Sequence, residues 1–155
     1  MPYDVMVKEE PEELVASIRW QVSPDRIGEV IPEAFGRLMA CVGPVGYGHG
    51  MPGLVMHEIR EDKADVEVFM PVAREFDPPE GVTVQTLLGG TMAMTVHTGP
   101  YDESELAYEA LTAWIAEHGR RTVGPPREYY LNDPNVVGMD HAQTEIEIPI
   151  ERSDP

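Results

Sequence analysis

Residues 144–150 read TEIEIPI, and residues 66–72 read VEVFMPV. Both alternate apolar and other residues, the period of a β-strand with two distinct faces. Val66, Val68, Met70 and Val72 share one face of the first, and Ile146, Ile148 and Ile150 one face of the second. A proline stands at the same place in each, Pro71 and Pro149. Two matching strands in one chain raise the question of whether everything around them is repeated too.

It is. LVASIRWQV at 14–22 reads as a strand with Leu14, Ala16, Ile18, Trp20 and Val22 on one face. Ser23-Pro24 follows, a cap and a favoured first-turn proline. Ile27, Ile31, Phe35, Leu38 and Val42 then recur at helical spacing, and Gly43 ends the helix. Pro32 inside this pattern predicts a kink or an irregular first turn. In the second half, TMAMTVHTG at 91–99 reads as a strand with Met92, Met94 and Val96 on one face. Asp102 and Glu105 suggest a capping box. Ala107, Leu111, Trp114, Ile115 and His118 form a helical stripe, closed by Gly119. A shift of 76–77 positions lays Trp20 on His97, Leu38 on Trp114 and Gly43 on Gly119.

Each half holds one more strand, GLVMHEI at 53–59 and REYYL at 127–131. Two further strands, about 3–9 and 82–88, are expected to pair locally. The pattern is strand, helix, strand, strand, repeated over about 1–80 and 81–151. No helix follows each strand, as a parallel sheet would need, so the sheets are expected to be antiparallel. The predicted fold is α+β: a single domain over 1–155, a duplicated strand–helix–strand–strand unit with two main helices and a central groove where the halves meet. Clefts of that kind commonly take ligands.

Composition narrows the function. A chain of 155 residues with 42% hydrophobic content can bury a core. No apolar run reaches the roughly 18 residues of a membrane span. The start, MPYDVMVKEEPEE, has neither the basic nor the apolar part of a secretory signal. Cys41 is the one cysteine, so no internal disulfide forms, and a cytoplasmic location is expected. The net charge of −17 repels nucleic acid and anionic membranes alike. The charge also fits simple solubility, or a salt-adapted or GC-rich source, and nine Arg against two Lys point to the GC-rich one. His57-Glu58 opens a zinc-protease pattern, but Glu61 stands where its second histidine belongs. No phosphate loop or nucleophile elbow occurs. No metal and no cofactor are expected.

The two halves differ in one telling place. Laying REYYL on GLVMHEI puts Glu128 opposite Leu54 and Tyr130 opposite Met56. The first half has two apolar residues where the second has a carboxylate and a phenol. A purely structural repeat has no need of that difference.

HTGPYDESELAYEALTAWIAEHG, GPPREYYLNDP and TEIEIPI together resemble the GyrI-like small-molecule-binding domain, which is also the effector-binding half of AraC- and MerR-type regulators. The matching positions are His97, Gly99, Pro100 and Tyr101, then Trp114, Glu128 and Tyr130, and Glu145 to Ile150. The resemblance implies an acidic residue, here Glu128, in an aromatic pocket for hydrophobic or cationic small molecules, with Tyr130 beside it. Trp20, Met56, Phe69 and Trp114 are the other expected lining residues. Met56 departs from a tyrosine that the family often carries at that place. No DNA-binding domain precedes the motif region, so a standalone form is expected. For such forms the resemblance implies sequestration of toxic compounds, hydrolysis of cyclopropane-containing alkylating toxins, or inhibition of DNA gyrase. If the chain is an enzyme, Glu128 and Tyr130 are the catalytic candidates. A homodimer and a protein partner such as gyrase stay open. His97 and Tyr101 read as structural, because Gly99-Pro100 forces the turn between strand and helix.

Overall fold

The computed structural model describes residues 3–152. In chain order, β1 is Met6–Glu10 and β2 is Glu13–Val22; α1, Ile27–Val42, follows a 3-10 turn at Pro24–Arg26. Then come β3 (Gly53–Ile59), β4 (Ala64–Pro71), β5 (Thr83–Leu87) and β6 (Gly90–Thr98). A 3-10 turn at Tyr101–Glu103 leads into α2 (Glu105–Glu117), followed by β7 (Arg127–Tyr130), the short α3 (Pro134–Val137) and β8 (Gln143–Pro149). The fold is α+β, with antiparallel pairing and two main helices, as the repeat requires.

The chain forms two compact units. One, Glu12–Leu88, carries strands in the order β3-β4-β2-β5, with α1 packed on β2 and β4. The other carries β1-β6-β8-β7, with α2 packed on β6 and β8. The repeat holds at the level of register. Gly53 pairs with Phe69, Leu54 with Val68, Val55 with Glu67 and Met56 with Val66. In the other unit Arg127 pairs with Glu147, Glu128 with Ile146, Tyr129 with Glu145 and Tyr130 with Thr144. Leu54 therefore stands to Val68 as Glu128 stands to Ile146. The match ends at a β-bulge between Met56 and Glu58.

Several expectations need correction. The extra strands do not pair within their own halves: β1 pairs with β6, and β5 with β2. Each covers an edge in the half it does not belong to by sequence. In α1 the buried stripe is Val30, Ala34, Leu38 and Val42, while Ile27, Ile31 and Phe35 sit half-buried on its flank. Pro32 lies within the continuous helix, and the irregular part is the 3-10 turn ahead of it. Asp102 and Glu105 form no capping box: α2 begins at Glu105, Ser104 is its cap residue, and no side-chain cap hydrogen bond forms. Leu131 falls outside β7.

The glycine-rich segment 43–53 is tied down along β4. Tyr47 bridges Val72, the Gly48 amide donates to the Pro71 carbonyl (3.1 Å), and the Ala73 amide donates to Gly46 (2.9 Å). A Cβ at Gly48 would meet Glu13 Oε1, Pro71 Cβ and the Val72 carbonyl at 3.0 Å, so glycine here serves close approach.

Ala93, Ile146, Ile148 and Ile150 pack with Ala107, Leu111 and Ile115 of α2 into one core. Leu111 is fully buried there, whereas Leu106, on the same helix, is 61% exposed. Leu111→Ala should cost about 2–5 kcal/mol in urea denaturation. Leu106→Ala should stay within about 0.5 kcal/mol.

Candidate functional site

β7 alternates, so Glu128 and Tyr130 share the face that β8 lines with Ile146 and Thr144. This is the face covered by α2. Glu128 is 7% exposed. Its Oε2 accepts a hydrogen bond from the Tyr108 hydroxyl of α2, and its Oε1 accepts one from Tyr130 at 3.4 Å. The Tyr130 ring lies 5.3 Å from that of Tyr101, tilted by 52°. Three phenols thus gather at one buried carboxyl.

Burial raises the Glu128 pKa above the ordinary glutamate value; the hydroxyls of Tyr108 and Tyr130 and nearby His97 oppose the rise without cancelling it. Burial and the Glu128 charge also raise Tyr108 and Tyr130. Tyr101 is raised by burial, then by Asp133 and Glu128. A carboxyl so placed has two chemical uses. Ionised, it attracts a cation strongly, because little water screens it. Protonated, it can give its proton to a ligand oxygen.

His97 is tied into the turn of its own motif. Its Nε2 lies 2.9 Å from the Pro100 carbonyl, which can only accept, so Nε2 carries the proton. Nδ1 meets the Tyr3 hydroxyl at 3.0 Å. Gly99 holds the turn with φ +130, a conformation that side chains resist.

Glu128 and Tyr130 are brought together as expected. Trp114 is half-buried against the α2 core and stacks on His118, with ring centroids 4.1 Å apart. Trp20, Met56 and Phe69 belong to the Glu12–Leu88 unit. There Trp20 and Met56, both half-buried, flank Val66 in one row across the sheet. Phe69 lies on the opposite face between Ser17 and Gly53 and is 1% exposed, a core position. Sequence reasoning missed Tyr108. The signal was present: a phenol beside Ala107 and spaced three and seven positions from Leu111 and Ile115, where its hydroxyl needs a buried partner.

The other face of β8 also holds acid. Glu147 is fully buried, and Glu145 and Glu10 lie beside it. Burial, then the neighbouring Glu145 and Glu10, raise the Glu147 pKa above its ordinary 4.5. Above that ordinary value the unfolded chain releases a proton that the folded chain keeps. Stability from this group therefore falls as pH rises toward the raised folded value. Urea denaturation across this range should show a shallower loss in Glu147→Gln than in the parent chain.

A family model, the GyrI-like small molecule binding domain, matches residues 3–151. Among solved structures, EcmrR in complex with DNA superposes with a TM-score of 0.87 at 26% identity, over 99% of this chain and 59% of that one. The present chain thus spans 59% of EcmrR as seen in that complex. The EcmrR C-terminal domain alone gives 0.86 at 26% identity, over 99% and 100% of the two chains. A hydrolase from Listeria innocua gives 0.74 at 15% identity, over 97% and 94%. SAV2435, in a structure bound to tetraphenylphosphonium, gives 0.68 at 16% identity, over 97% and 94%. These last two establish likeness of fold. No curated protein matches the chain. The match over 3–151 spans both halves of the repeat, and the chain belongs to the GyrI-like small-molecule-binding domain family.

Proposed function

We propose that this domain binds a hydrophobic or cationic small molecule at Glu128, in a role of drug or toxin sequestration or sensing. One observation carries the reading: a buried carboxyl with two phenol hydroxyls on it and a third aromatic ring 5.3 Å from one of them. The hydroxyls keep the carboxyl hydrogen-bonded in the free protein. The same rings offer π faces to an approaching cation, worth about 0.5–2 kcal/mol each where desolvated. The carboxylate adds the charge-specific attraction. Tetraphenylphosphonium, the ligand of SAV2435, is such a cation, large and lipophilic with no hydrogen-bond donor.

A second reading uses the same residue. The raised pKa lets Glu128 retain a proton, which suits it to general-acid chemistry on an electrophilic, cyclopropane-type toxin, with Tyr130 positioning water. Binding saturates without product; hydrolysis consumes excess substrate.

Titration with tetraphenylphosphonium, followed by emission of Trp20 and Trp114, tests the anchor. Glu128→Gln should bind at least about tenfold more weakly. Equal affinity in the two proteins would remove Glu128 from the site. The cation favours the ionised carboxyl, so wild-type affinity should rise with pH through the raised Glu128 value, while Glu128→Gln stays flat. Mass spectrometry on parallel samples with a cyclopropane-containing alkylator reports any turnover.

A further inference from the structure

Three carboxylates, Glu10, Glu145 and Glu147, meet on the face of the β1-β6-β8-β7 sheet opposite Glu128. One oxygen from each lies within 4.8 Å of the others. A cluster of acids alone would say little on a surface carrying −17. Glu147 changes that. It is 0% exposed, and among the described residues its Oε1 has neither a hydrogen-bond nor an ion-pair partner, while its Oε2 has only Lys8 Nζ, at 3.6 Å. A buried carboxyl with an oxygen so placed either keeps a proton or takes a cation.

We propose that Glu10, Glu145 and Glu147 form a binding site for a divalent, oxygen-preferring cation such as Ca²⁺ or Mn²⁺. Oxygens this far apart fit around a single ion with metal–oxygen distances of roughly 2.1–2.6 Å. The all-carboxylate donor set excludes a thiolate or imidazole metal centre. Mg²⁺ fits less well, since it holds its waters and Glu147 sits where water has little access. No histidine spacing in the sequence marks this site.

Lys8 is the competitor. Its Nζ lies 2.9 Å from Glu145, 3.1 Å from Glu10 and 3.6 Å from Glu147. Of its three approaches, that to the buried Glu147 is the longest. Its side chain is 40% exposed and can turn out to solvent when an ion enters. Arg127 stands opposite Glu147 in register, with Nη1 directed to the Tyr129 hydroxyl (3.5 Å). Entry of the ion also displaces any proton that Glu147 holds.

Tb³⁺ titration of the full chain, with Ca²⁺ as displacing ion, tests the site; Tyr129, paired with Glu145 across β7 and β8, supplies the excitation energy. The expected result is one saturable site. Glu147→Gln should weaken it at least about tenfold, and Lys8→Met should strengthen it. Far-UV circular dichroism checks the fold of each variant, and Glu10→Gln replaces Glu147→Gln if the latter does not fold. Unsaturable binding would overturn the proposal, as diffuse attraction to an acidic surface. So would an affinity indifferent to loss of the carboxyl, or binding seen only in Lys8→Met and not in the parent chain, which would make Lys8 the cluster's resident cation.

Discussion

The strand β8 buries both of its faces, and much of the unit built on β6–β8 follows from that constraint. On one face, Ile146, Ile148 and Ile150 pack with Ala93 and with Ala107, Leu111 and Ile115 of α2. This packing fixes how α2 lies on the sheet. It thereby sets Tyr108 over β7, where its hydroxyl reaches Glu128. On the other face the same alternation puts Glu145 and Glu147 inside, with Lys8 and Glu10 of β1 against them. A strand with one wet face would have left these acids in water. Here the apolar face supplies stability, and the acidic face adds a pH-dependent cost to it.

Comparison of the two halves shows where a common fold has been given chemistry. The strand pairs β3–β4 and β7–β8 have the same register. Leu54 and Met56 are replaced in β7 by Glu128 and Tyr130, and Phe69 of β4 is replaced in β8 by Glu147. Phe69 is buried, as Glu147 is, so both positions are interior in both halves. The second half therefore carries acids at two positions that the first half keeps apolar, one on each face of its sheet.

Much of this was legible in the sequence, because strand and helix periods are local. The alternation in TEIEIPI and VEVFMPV gave the strands, their faces and the register of the repeat. The partnership of Glu128 and Tyr130 came from the same rule. What was not legible depends on contacts far apart in sequence. Nothing local in MVKEE or TVQTL says that β1 joins β6 and β5 joins β2. The line of α1 that turns inward was misjudged by one residue, since apolar residues lie on both of the competing lines. Tyr108 escaped notice because its importance comes from a partner 20 positions away. Glu147 could be assigned a face by alternation, but only packing shows that this face is closed.

The central claim is that Glu128 is a buried carboxyl whose charge state answers to a bound cation. NMR titration of its side-chain carboxyl carbon, with and without tetraphenylphosphonium, tests that directly. The account predicts a midpoint above the ordinary glutamate value of 4.5 in the free protein, falling when the cation binds. A carboxyl that titrates at the ordinary value and ignores the cation would contradict it.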